Sequence, residues 1–128
     1  MIKIKKINLT AAQLIASFAT PVKILDAPAS GKVNVIFGAT AKLNYGTVSF
    51  DNTPAGWIDF QPALAQGILL SLNIIDANQS NHRPFFMSQT ESTIYTTNED
   101  LYFQLSALPT VGDSNLDIFL IYEEKTTV

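Results

Sequence analysis

The sequence predicts an all-β protein, an antiparallel β-sandwich or jelly roll with one short N-terminal helix. Three observations lead there. From Gly31 to Gly46 the chain reads GKVNVIFGATAKLNYG, with Val33, Val35, Phe37, Ala39, Ala41, Leu43 and Tyr45 alternating against Lys32, Asn34, Ile36, Gly38, Thr40, Lys42 and Asn44. A period of two is that of a strand with one face on a core and the other on water. About eight or nine β-forming runs are separated by clusters of Gly, Pro, Asn, Asp and Ser, the spacing of a sandwich or barrel. Helical periodicity is confined to one stretch, where Ala11, Leu14, Ile15 and Phe18 stand at i, i+3, i+4 and i+7. At 128 residues the expectation is a single domain over 1–128.

In order, Ile2 and Ile4 alternate with Lys3 and Lys5 in a first strand, and lysines on an edge discourage unwanted pairing. Thr10 and Gln13 fit a capping box at the start of the helix, and Pro21 stops it. Two turns cannot hold alone, so the helix must dock on a sheet. Val22 to Leu25 is a short strand, and DAPASG from Asp26 to Gly31 is a turn. The long strand follows, its odd positions facing inward, with a bend or bulge expected at Gly38. After a tight connection at Tyr45-Gly46-Thr47, Val48 and Phe50 alternate again, then Asp51 to Gly56 forms a loop before an apolar run of Trp57, Ile58 and Phe60. Gln66 to Ile75 reads as a buried strand, with a helix the alternative that its periodicity leaves open, and Asp76 to Pro84 as a long polar loop. Phe85 to Met87, Ser92 to Thr97 and Leu101 to Leu105 are further strands. Pro109 to Asn115 is a turn, Leu116 to Tyr122 a central strand apolar on both faces apart from Asp117, and Glu123 to Val128 a tail that frays.

Charged residues make up only 15% of the chain, against about 25% in an average soluble domain. Such a surface is either covered by other chains or built from Asn, Gln, Ser and Thr, which are abundant here. The net charge of −3 argues against a partner held by nucleic-acid phosphates. The charge is unevenly placed: residues 1–42 carry +5 and residues 43–128 carry −8. That asymmetry favours head-to-tail contact between copies or with neighbouring proteins, or else the lysines line an exposed face of the first strand. The sequence has no cysteine, which excludes disulfides and thiolate metal sites. The N-terminus lacks the pattern of a signal peptide, and the uncharged stretch from Phe60 to Ile75 is too broken by Gln61, Pro62, Gln66, Gly67, Ser71 and Asn73 to span a membrane.

No residue pattern supports catalysis. His82 is the single histidine, and a metal site on it would need Asp76, Glu91 or Glu99 at no diagnostic spacing. No serine lies in a nucleophile elbow. Asp51 and Asp59 flank Trp57, the arrangement of a sugar platform, although such a tryptophan more often plugs a core or an interface. Asp113 and Asn115 offer oxygen ligands without a calcium-loop register; a turn capped by its own Asp is the plainer account. HRPFFMSQT at 82–90 joins a cation, aromatics and a methionine, which fits an interface patch, or else Phe85 and Met87 simply face inward. The expected partner-contact residues are therefore Trp57, His82, Arg83, Phe85 and Met87, with no catalytic residue, metal or cofactor.

Residues 7–46, INLTAAQLIASFATPVKILDAPASGKVNVIFGATAKLNYG, resemble the N-terminal half of small β-sandwich virion proteins of tailed bacteriophages. The resemblance rests on a short helix before Thr20-Pro21-Val22, a turn with Pro28 and Gly31-Lys32, and a long strand ending in Leu43, Tyr45 and Gly46. MSQT at 87–90 and LDIFLIYEE at 116–124 are also similar, with Gly112 in the turn before the last strand. The resemblance implies a non-enzymatic virion protein of the capsid decoration, head-fibre or auxiliary type, located in the virion. Its partners would be phage capsid or tail proteins and copies of itself in cyclic symmetry, a trimer among the forms this allows. The alternative is a carbohydrate- or receptor-binding module of a tail fibre, with Trp57, Tyr95, Tyr102 and His82 meeting a host glycan.

Overall fold

Residues 1–59, 70–73, 75–87, 94–96 and 99–126 are described by the structure, a computed structural model. Their elements run β1 (Lys3–Leu9), α1 (Ala11–Ala16), β2 (Val22–Leu25), β3 (Lys32–Asn44), β4 (Gly56–Asp59), β5 (Leu70–Leu72), β6 (Asn81–Pro84), β7 (Phe86–Met87), β8 (Ile94–Thr96), β9 (Leu101–Leu105) and β10 (Asn115–Thr126). The strands form two five-stranded sheets, β1-β10-β3-β6 with β8 also on β3, and β2-β9-β4-β5-β7. Every pairing is antiparallel. The pairs are nested: β1 with β10, β2 with β9, β3 with β8 and β4 with β5. A single long hairpin rolled across two sheets gives this nesting, and of the two architectures expected it is the jelly-roll wrap.

The core between the sheets takes Leu116, Ile118 and Leu120 from β10, Ala39, Ala41 and Leu43 from β3, and Ile58, Leu101, Phe103 and Leu105 from the opposite sheet. The capping box forms as expected: the Gln13 N–H donates to Thr10 Oγ1 at 3.2 Å and the Thr10 N–H to Gln13 Oε1 at 2.9 Å. Leu14 is buried, and Ala11, Ile15 and Phe18 pack against the core, so the helix docks by the face its periodicity marked. Its last turn is tied to β9 by polar groups. Ser17 Oγ donates to the Leu14 carbonyl at 2.6 Å and accepts from the Leu105 N–H at 3.2 Å, while Gln104 Nε2 donates to the Phe18 carbonyl at 3.0 Å. Ser17 has no exposed surface. Ser17→Ala therefore strands a buried N–H and is expected to cost about 1–3 kcal/mol in urea unfolding. Ser17→Thr, which keeps the hydroxyl, separates the lost bond from lost packing.

Several sequence expectations are corrected. The bulge in β3 is present, but it reverses the facing of the strand. Ile121 pairs with Gly38 and Tyr122 with Ile36, leaving Phe37 as the extra residue. Ala39, Ala41 and Leu43 face the core, whereas upstream of the bulge Ile36 does. By alternation Val33 and Val35 fall on the opposite face, where they are nonetheless buried, and Phe37 stays 39% exposed. Val48 and Phe50 form no strand: Phe50 turns into the core while Val48 is exposed. The polar stretch 76–84 is not loop throughout, because 81–84 form β6 on the edge of β3. The tail does not fray at 123–126, which pair with Lys32 to Val35 at the far end of β3. The Met1 ammonium 2.6 Å from Glu123 and Lys32 at 3.6 Å from Glu124 hold that end. The expectations for Phe60, for 66–69, and for Ser92, Thr93 and Thr97 lie outside the described residues.

Candidate interaction surface

Two exposed apolar surfaces stand out, and they differ in charge. The first is the outer face of the sheet β1-β10-β3-β6. Since Leu116, Ile118 and Leu120 point inward, Asp117, Phe119 and Ile121 point out, and β1 sets Asn8, Lys6 and Ile4 directly opposite them. Ile4 is 67% exposed. The Lys6 ammonium lies 5.9 Å from the centre of the Phe119 ring, and the His82 ring lies 6.2 Å from it on the other side. Phe37 adds a further exposed aromatic from the bulge. Lys42 pairs across to Asp117 and His82 in the same row. Asp117 is fixed by Asn8 Nδ2 at 2.8 Å and Asn44 Nδ2 at 3.0 Å. These amides, with Lys6 and Lys42 nearby, hold its carboxyl below the ordinary 3.8 against the opposing effect of burial.

The second surface is one end of the sandwich, where residues 45–55 and 106–114 clasp each other. Asp113 accepts from the Thr47 hydroxyl at 2.6 Å and from the N–H groups of Thr47 and Val48 at 2.8 and 2.9 Å. Asp51 reciprocates, accepting from the Thr110 hydroxyl and from the N–H groups of Thr110 at 2.6 Å and Val111 at 3.2 Å. Asn52 Nδ2 donates to the Leu108 carbonyl at 2.9 Å. The clasp displays Val48, Leu108 and Val111, each 45–49% exposed. Neither loop contains a lysine or an arginine.

Both clasp carboxyls are held below the ordinary 3.8, first by the threonine hydroxyl each accepts from and then by backbone N–H groups. A carboxyl whose folded pKa lies below its unfolded one contributes stability that is complete above the unfolded value and lost as pH falls through the folded one. The melting temperature should therefore hold from neutral pH to about pH 5 and decline below about pH 4. Asp51→Asn/Asp113→Asn should melt lower at neutral pH and show a shallower decline in acid; thermal melts across this range measure both.

The expected contact residues are dispersed. His82 and Arg83 are exposed, on the edge strand β6 of the first sheet. Trp57 is half-buried on β4 of the second sheet, opposite Gln104. Phe85 is inside, 6% exposed in the core, with its N–H donating to the Ala39 carbonyl at 2.8 Å. An aromatic just before a strand pairs with the core as readily as with a neighbour, and this one turns inward. Met87 belongs to β7, and its side chain is outside those described. The four glycan-platform residues are likewise divided: Trp57 and Tyr102 sit on the second sheet, Tyr95 and His82 on strands of the first. Asp51, the acid beside Trp57, is occupied by Thr110 and Val111, and Asp113 by Thr47 and Val48. Among the described residues no group of three or more His, Asp or Glu side chains is placed to hold a metal ion. No described helix is long and apolar enough to cross a membrane. Sequence reasoning missed the Ile4–Phe119–Ile121 face because cross-strand register, not order along the chain, assembles it. The pattern of β10, apolar at 119 and 121 as well as at 118 and 120, was the available signal.

No family model matches the sequence, and no curated protein matches it. The fold is similar to that of a chain in the solved structure "Cyanophage Pam1 capsid asymmetric unit", with a TM-score of 0.65 at 11% sequence identity, covering 94% of this chain and 83% of that one. Agreement of that extent shows a shared fold across nearly the whole chain.

Proposed function

We propose that the chain is a non-enzymatic structural component of a bacteriophage virion, an auxiliary, decoration or fibre-attachment protein of the capsid. The observation that carries this reading is the fold-wide likeness to a chain of a phage capsid. The low charge content and the two exposed apolar surfaces agree with a protein whose work is to bury surface against neighbours. The clasp adds a mechanical element: paired Asp–Thr bonds hold a loop tip in one shape, so contact there carries little ordering cost.

The test is composition of the particle. Density-purified virions of the phage whose genome encodes the chain are analysed by quantitative mass spectrometry and immunogold electron microscopy. The expected result is many copies per particle, on the head. Absence from purified particles overturns the reading. Labelling confined to tail tips replaces it with the tail-fibre alternative.

A further inference from the structure

We propose that the two exposed surfaces are the two halves of one contact between copies of this chain: the clasped tip of one copy seats on the outer β1-β10-β3 face of the next. The inference deepens the virion reading and rests on it, because it names the occupant of both surfaces.

The argument is one of charge and shape. The tip presents Val48, Leu108 and Val111 beside two ionised carboxylates, Asp51 and Asp113, in loops without a cation. The face presents Ile4, Phe119, Ile121 and Phe37 beside Lys6 and Lys42. Its two carboxylates are engaged within the face, Asp117 by the amides of Asn8 and Asn44 and Glu123 by the Met1 ammonium and Lys125. Apolar meets apolar at the centre, and anion meets cation at the rim. Tip against tip would oppose aspartates, and face against face would oppose lysines, so the two self-matched alternatives are disfavoured by the same charges that favour the mixed one. The tip is an end of the sandwich and the face is its side, so the contact joins different surfaces of the two partners. A contact of that kind closes into a ring or grows into a filament.

Two variants test it, both at exposed positions. The tip variant is Val48→Lys/Val111→Lys, and the face variant is Ile4→Glu/Lys6→Glu. Circular dichroism and thermal melts establish that each is folded as the parent is. Sedimentation equilibrium at low ionic strength is then expected to show the parent self-associating. Each variant alone should remain monomeric to concentrations at least about tenfold higher, since each opposes like charges at a desolvated contact. An equimolar mixture of the two should associate again, because it contains one intact tip and one intact face. Raising the ionic strength to about 0.5 M should weaken the parent's association. A parent that stays monomeric, a variant that associates normally by itself, or a mixture that stays monomeric overturns the proposal. The virion reading is judged separately by particle composition. Copies found in virions together with a monomeric parent in solution would remove this contact and leave that reading standing.

Discussion

Gly112→Ala is expected to lower the melting temperature by about 10–20 °C, the largest effect of any single methyl addition among the described residues. Two independent causes meet at this position. Gly112 adopts φ +139°, a conformation that side chains rarely take, and a Cβ built there would stand 2.1 Å from Cδ1 of Phe50. Backbone strain of this kind costs about 1–3 kcal/mol, and forcing an atom into a filled core costs about 1–3 kcal/mol more. Phe50 has no easy retreat, since it is buried and its loop is held by the Asp51 and Asp113 clasp on either side. Gly31→Ala separates the two causes. That glycine lies at φ +76° with nothing within 4 Å of its built Cβ, so only the backbone share applies and the loss should be about 1–2 kcal/mol. Calorimetry on both variants decides the matter. Equal losses would show that the Phe50 contact is not what fixes Gly112.

The approach of Phe50 to Gly112 also marks where sequence reading stops. Alternation over 31–46, the helical spacing of Ala11, Leu14, Ile15 and Phe18, and the Thr10–Gln13 box are local signals, and each structure they point to is present. The central place of β10 was legible for the same reason: a strand apolar on both faces has neighbours on both sides. Phe50 was misread because alternation in three residues cannot distinguish a strand from a loop that sends one aromatic inward. The clasp escaped notice because its partners are about 60 residues apart, Asp51 with Thr110 and Thr47 with Asp113, separations at which no periodicity operates. The β3 bulge was expected at Gly38, yet its consequence was not. One extra residue exchanges the two faces, moving Ile36 inward and Phe37 out. Composition could show that little charge was available for the surface. Which patches that left apolar depended on register.

The second large effect lies in the opposite sheet, at Gly56 and Phe103. Phe103 is among the largest side chains with no exposed surface. It pairs with Ile58 on one side and Val22 on the other, so its ring fills the middle of the core layer. Phe103→Ala should cost about 3–5 kcal/mol, the range for emptying a site that rigid neighbours cannot close. Room for the ring comes from β4. A Cβ on Gly56 would lie 2.7 Å from Cε2 and 2.9 Å from Cζ of that ring, with Leu72 Cβ at 3.6 Å behind. Gly56→Ala alone should therefore cost about 1–3 kcal/mol through overpacking. Phe103→Leu shortens the side chain just where the new methyl would clash, so the double variant should be less destabilised than the sum of the two, by about 0.5–3 kcal/mol. Urea unfolding of the four proteins, with m-values compared to check that each still unfolds in one step, measures that coupling. Strict additivity would mean that the sheet relaxes around Gly56, and that backbone entropy at this position, not the ring, explains why a glycine stands there.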